Sequence, residues 1–185
     1  MSLSRKDFFK TVCLGGACLC GFGPVALAAT SSPDPSSDQD NKMQLFKEWI
    51  EMILSNIDSS LSEKEVRSII KSCALAHYNQ LKMDDVLAGY QGNLDKFIGW
   101  LETSWGWKVT HDRETKTIVA DENKNYCVCP MINHAEGKKY PALCYCSEGF
   151  AEKMFSTVIG SSVSATTVSS VQRGDASCKY QIIYK

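Results

Sequence analysis

Two Cys-x-Cys pairs, Cys127-Val-Cys129 and Cys144-Tyr-Cys146, stand fourteen residues apart and carry four of the six cysteines that follow residue 29. Along an extended segment, residues i and i+2 point to the same face, so each pair aims both thiols one way. Bringing the pairs together sets four sulfurs around one small volume, the ligand set of a tetrahedral zinc or of an iron–sulfur cluster. Any fold this chain adopts must therefore either bring residues 127–129 and 144–146 together or account for the thiols separately.

The rest of the sequence supplies a frame for that window. With 185 residues, 44% of them hydrophobic, the chain is long enough for one domain with a real core. The formal charge is −1, and no basic stripe interleaved with aromatics occurs, which argues against a nucleic-acid partner. Residues 1–29 read as an export signal, with Arg5-Lys6 at its start, a glycine-rich apolar middle over Thr11–Ala29 and small residues at Ala26-Leu27-Ala28 for cleavage. Its start, Ser4-Arg5-Lys6-Asp7-Phe8-Phe9-Lys10, resembles a twin-arginine signal with lysine in the second arginine position. The expected location is periplasmic or at the surface of a bacterial cell. The membrane is reached only through this leader, if it stays uncleaved or is lipidated at Cys18 or Cys20.

Residues 30–41, rich in Ser, Pro and Asp, are expected to be a flexible linker, and residues 42–185 a single α+β domain. Leu45, Trp49, Met52, Ile53 and Ile57 recur at helical spacing and predict a helix over Lys42–Asp58. Ser62 and Glu65 form a capping box for a helix from Glu63 to about His77, with Val66, Ile69, Ile70, Cys73 and Ala74 inward. Short helices follow near Asp84–Tyr90 and Leu94–Ser104. After Gly106 the period shortens to two. Trp107–His111 and Thr117–Asp121 predict a hairpin, Tyr126–Cys129 a third strand, Glu148–Ile159 a helix capped by Ser147 and ended by Gly160, and Val163–Gln172 and Cys178–Tyr184 two final strands. The fold class is α+β, N-terminal helices followed by an antiparallel sheet with one inserted helix.

The run from Cys144 through Gly149-Phe150, Gly160, Arg173-Gly174-Asp175 and Cys178-Lys-Tyr-Gln-Ile resembles the end of 4-vinyl-reductase-type small-molecule-binding domains. It also resembles the related L-2-amino-thiazoline-4-carboxylate hydrolase-like family, over roughly residues 127–184. The resemblance implies an α+β ligand-binding fold and, in sensor relatives, a zinc site built from a cysteine before the inserted helix, an acid and a cysteine on the next strand, and a cysteine after the Gly-Asp turn. Cys144 or Cys146 matches the first of these and Cys178 the last. Val163–Gln172 carries neither cysteine nor carboxylate, which moves the weight onto Cys127 and Cys129.

The expected metal ligands are thus Cys127, Cys129, Cys144 and Cys146, holding zinc or, in the alternative, an iron–sulfur cluster, next to a small-molecule pocket between helices and sheet. Crossed disulfides such as Cys127–Cys146 and Cys129–Cys144, and a reactive thiol, are the competing uses of the same residues. Cys178 and His134 are further candidate ligands. A structural metal would contribute on the order of 10 kcal/mol to folding. The function expected is that of an exported metal-binding, small-molecule-binding module. The alternatives are a hydrolase of C–N bonds in a small cyclic amidine or thiazoline-like compound, which the resemblance alone implies, and a disulfide-stabilised structural protein. No catalytic residue is assigned. Cys73 is read as a small core residue, His77 as a polar helix end, Trp100, Trp105 and Trp107 as core aromatics, and His111 as lacking a visible partner.

Overall fold

The capping box at Ser62 sets the first fixed point of the chain. The Glu65 carboxylate accepts from the Ser62 N–H at 3.0 Å and the Ser62 hydroxyl accepts from the Glu65 N–H, opening helix α2 at Glu63–Gln80. In this computed structural model the described residues are 35–131 and 137–185, so the expected export signal and His134 lie outside them. Helix α1, Pro35–Ser60, comes before the box. It takes in residues 35–41, which composition marks as a tether. Pro35 stands at its first position, where a missing N–H costs nothing and a φ fixed near −65° suits the helix.

Helix α2 buries Val66, Ile70, Ala74 and Tyr78, one line of four-residue steps. Ile69 is 42% exposed and Cys73 is exposed, so the inward face is narrower than the sequence suggests and Cys73 is not a core residue. The Cys73 thiol instead donates to the Ile69 carbonyl at 3.4 Å. Helix α3 is Met83–Leu87, and helix α4, Leu94–Trp100, continues as a π-helical turn over Leu101–Trp105 until Gly106 leaves the helix at φ 71°.

Four strands follow: β1 Lys108–Asp112, β2 Thr117–Asp121, β3 Val163–Ser169 and β4 Lys179–Tyr184. They form one antiparallel sheet in the order β1-β2-β4-β3. Between β2 and β3 lies helix α5, Cys144–Ile159, preceded by a 3-10 turn at Pro141–Leu143 and ended by Gly160 at φ 77°. The α+β architecture, helices and then an antiparallel sheet with an inserted helix, is as the periodicity predicts. Three local expectations change. Residues 126–129 are not a strand. α5 begins at Cys144 rather than after Ser147. The strand beginning at Val163 stops at Ser169 and gives way to a 3-10 turn at Val171–Arg173.

The core lies between α5, the sheet and α4. Phe97, Leu101, Ile118, Met154, Phe155 and Ile182 are fully buried there. α5 is seated by two further contacts. A Cβ at Gly149 would strike the Lys71 carbonyl and come within 3.0 Å of the Ala74 Cβ, so only glycine lets α2 and α5 approach this closely. On the edge strand β3, the N–H groups of Thr167 and Ala165 donate to the carboxylates of Glu148 and Glu152 of α5 at 2.8 and 2.9 Å. Glu148 is completely buried and is held by Arg67, whose Nε and Nη2 donate at 2.8 and 3.0 Å. These acids occupy edge donors that would otherwise be open to pairing with another chain. Among the described residues, no helix is long and apolar enough to cross a membrane.

Candidate metal centre

The thiol site is assembled from the segment after β2 and the head of α5. Beyond Asp121 the chain turns at Asn123 (φ 55°), whose N–H donates to the Asp121 carboxylate at 2.8 Å, and Lys124 Nζ donates to the Trp105 carbonyl at 2.8 Å. Residues 127–129 then run without strand pairing, and Cys127 and Cys129 pack against a second apolar cluster of Leu54, Val66, Ile70, Ala142, Leu143 and Tyr145. The other side of the site is fixed by Tyr140, whose N–H donates to Gln172 Oε1 and whose hydroxyl donates to Glu51, both at 2.8 Å.

Cys144 and Cys146 lie in the first turn of α5, and this changes the geometry expected of the second pair. Residues i and i+2 on a helix are about 200° apart, so their side chains leave in different directions. Cys144 is buried, with its sulfur 3.0 Å from the Ser170 hydroxyl, whereas Cys146 is half-buried and packs against the same cluster as Cys127 and Cys129. The 3-10 turn runs directly into α5, with the Cys144 N–H donating to the carbonyls of Pro141 and Ala142, and the positive end of the helix dipole lies on this side and favours thiolates.

Cys129 feels the other three predicted cysteines. Burial pushes the Cys129 thiol up to about 12, and Cys127, Cys146 and Cys144 add to that shift. Burial likewise pushes Cys146 up to about 11, with Cys73 and Cys144 contributing, and raises Cys144, against which the Ser170 hydroxyl and Arg173 act. Cys178 joins the group: burial carries it up to about 12, with Glu122, Cys144 and Cys127 adding to the effect. Among the described residues no cysteine is in a disulfide, and no three His, Cys, Asp or Glu side chains form a group that could hold a metal ion as they stand.

Glu122 is the residue that sequence reading passes over. It lies in a polar run, yet it is only 8% exposed. Its N–H donates to the Cys178 carbonyl at 2.9 Å, and its carboxylate accepts from the buried Tyr180 hydroxyl at 2.7 Å. Burial raises the Glu122 carboxyl above its usual range, with the Tyr180 bond opposing, and burial first and Glu122 second push the Tyr180 phenol well up. An acid therefore does reach Cys144 and Cys178, from the segment after β2 rather than from β3. The only signal in the sequence is its place between the hairpin and the first cysteine pair.

The remaining candidates fall elsewhere. His77 packs against Phe150 with ring centroids 5.0 Å apart and the rings tilted by 33°, and burial lowers its pKa. His111 has a partner after all, with Nε2 2.7 Å from the Tyr184 hydroxyl. Trp100, Trp105 and Trp107 form a run of ring contacts at 4.9 and 5.4 Å and, half-buried, pack against the core rather than within it. An open groove of about 880 Å³, lined by Lys71, Glu152, Lys153, Ser156, Ser161 and Val163, lies between α2, α5 and the start of β3.

The model of a family described as a family of unknown function (DUF6144) matches residues 34–185. No curated protein matches the chain. Among solved structures, a trafficking protein particle complex subunit 3 from Naegleria fowleri, covalently bound to palmitic acid, superposes with a TM-score of 0.50 at 10% identity, covering 80% of this chain and 96% of that one. A vinyl-4-reductase family protein from Methanocaldococcus jannaschii superposes with a TM-score of 0.33 at 8% identity, covering 77% of this chain and 81% of that one. The first likeness is one of fold.

Proposed function

We propose that this chain, which belongs to the DUF6144 family of unknown function, binds one metal ion through Cys127, Cys129, Cys144 and Cys146 as part of an exported small-molecule-binding module. The observation that carries the reading is that Cys127, Cys129 and Cys146, from two segments far apart in sequence, pack against one apolar cluster beside Cys144. The Cys129 and Cys146 thiols, pushed up by burial to about 12 and about 11, are poor nucleophiles, but a metal displaces their protons on binding. Since no formed cage is present, the ion would draw the segment carrying Cys127 and Cys129 onto the head of α5, where the helix dipole favours the thiolates. Zinc suits four thiolates with no preferred d-electron geometry, and an iron–sulfur cluster is the alternative occupant. The groove of about 880 Å³ is the place offered for the small molecule.

Elemental analysis with acid-labile sulfide, on protein purified without oxygen or chelator, tests this directly. About one zinc per chain is expected, lost in Cys129→Ser together with thermal stability. A metal-free protein, or a Cys129→Ser variant that keeps both metal and fold, overturns it. The narrower reading, a hydrolase of cyclic amidine or thiazoline-like compounds akin to the L-2-amino-thiazoline-4-carboxylate hydrolase-like family, needs a metal position left open to water. It is favoured if Cys146→Ser spares the metal while such a compound is turned over.

A further inference from the structure

Cys144 turns away from the other three predicted ligands. Cys127, Cys129 and Cys146 pack against one apolar cluster, whereas the Cys144 sulfur lies 3.0 Å from the hydroxyl of the fully buried Ser170. The register of β3 on β4 pairs Ser169 with Lys179, and Ser170 continues it with extended backbone, so Ser170 stands opposite Cys178. Cys178, just before β4, is buried in the alternating inward set with Tyr180 and Ile182, and the Val171 N–H donates to its sulfur. Side chains directly opposite on one face of an antiparallel pair have Cβ atoms about 5 Å apart. The two buried sulfurs are thus held on consecutive residues, Ser170 and Val171, of one corner. Both cysteines also occupy element ends: Cys144 opens α5, and Cys178 lies between the exposed turn 174–176 and β4.

We infer that in the oxidised chain Cys144 and Cys178 form a disulfide, which withdraws Cys144 from the metal site proposed above and leaves that site open only to the reduced chain. The gating rests on the metal reading; the bridge does not. Cys146 is no substitute for Cys144 in this bridge, because it leaves α5 about 200° away around the helix. The oxidant is an external low-molecular-mass disulfide. Its S–S bond breaks as one cysteine sulfur bonds to one half of it, and the second cysteine then displaces that half. The two cysteine protons leave on the two thiols released, so two protein S–H bonds are exchanged for one S–S bond. Burial on the inward side of the sheet then shields the bridge from the reverse exchange.

To test this, the metal-free full chain is equilibrated over a series of oxidised to reduced glutathione ratios, alkylated, digested without reduction and read by mass spectrometry. The peptides carrying Cys144 and Cys178 are expected as one linked species, lighter than their sum by the two thiol hydrogens, that parts on reduction. Zinc affinity of the linked chain is expected to fall at least about ten-fold below that of the reduced chain, since even removing a group that supports a ligand costs that much. At the ratio where the bridge forms in the wild type, Cys178→Ser and Cys178→Ala are expected to keep the zinc affinity of the reduced protein. An alkylated Cys178 at the most oxidising ratio, or Cys144 linked to any other cysteine, overturns the bridge. Equal zinc affinity of the linked and reduced chains overturns the gating. A reduced chain that binds no zinc while the linked peptide still forms sinks the metal reading and the gating with it, and leaves the bridge in place.

Discussion

Glu122 and Tyr180 show how much one buried residue depends on its surroundings. The carboxyl is lifted above its ordinary 4.5 chiefly by loss of water, and the Tyr180 hydroxyl, 2.7 Å away, opposes this only in part. A carboxyl whose folded pKa exceeds its unfolded value holds its proton more tightly when folded. The stability it contributes is complete below the unfolded pKa and is lost as pH rises through the folded one. Glu122→Gln keeps an oxygen for Tyr180 and cannot ionise. Between pH 4 and 8, the melting temperature of the wild type should therefore fall relative to that of the variant, and above the raised pKa the variant should melt higher. Scanning calorimetry of the pair at several pH values checks this, and parallel curves would show that Glu122 ionises in the fold as readily as out of it. Whereas the four cysteines announce themselves by spacing, Glu122 has only acidic and polar neighbours in sequence, and its burial comes from β4.

The decisive element is α5. Its N-terminal turn holds two of the thiols, its middle turns place Glu148 and Glu152 on the β3 edge, and Gly149 fixes its distance from α2. Gly149→Ala should cost about 1–3 kcal/mol, because the added methyl meets helix backbone that cannot move aside without parting α2 from α5. Urea unfolding followed by circular dichroism measures it, and a neutral substitution would mean that the two helices slide apart freely. The capping box of α2 and the glycine stop of α5 were legible because they are local, written in the residues that make the bonds. The strand expected at Tyr126–Cys129 was not realised, although Tyr, Val and alternating Cys suit a strand. β-propensity does not provide a neighbour to pair with, and this segment packs its cysteines against the apolar cluster shared by α1, α2, the 3-10 turn and the head of α5 instead. The inward face of α2 was broader in sequence than in the fold for the same reason, since what faces it was not written locally.

At the scale of the whole molecule, the thiol site joins the segment after β2, the head of α5 and the start of β4. A metal bound there would staple parts of the chain that unfolding separates. Zinc added to the metal-free protein should therefore raise its melting temperature and release protons near neutral pH, since burial pushes the Cys129 and Cys146 thiols up to about 12 and about 11. Calorimetric titration in two buffers of different ionisation enthalpy counts those protons. Binding without proton release would assign the metal to carboxylates or histidines.

The sequence by itself determined the order of helices and strands, the helix caps and the presence of a thiol-rich window, because periodicity and capping act between residues a few positions apart. The tertiary structure alone decided that Cys144 and Cys146 diverge at a helix start, that Glu122 and Cys178 lie near Cys144, and that Leu54 of α1 is buried while Leu45, Trp49 and Met52 are exposed. Those outcomes depend on which surfaces meet across the chain, and burial is a property of the meeting, not of the residue.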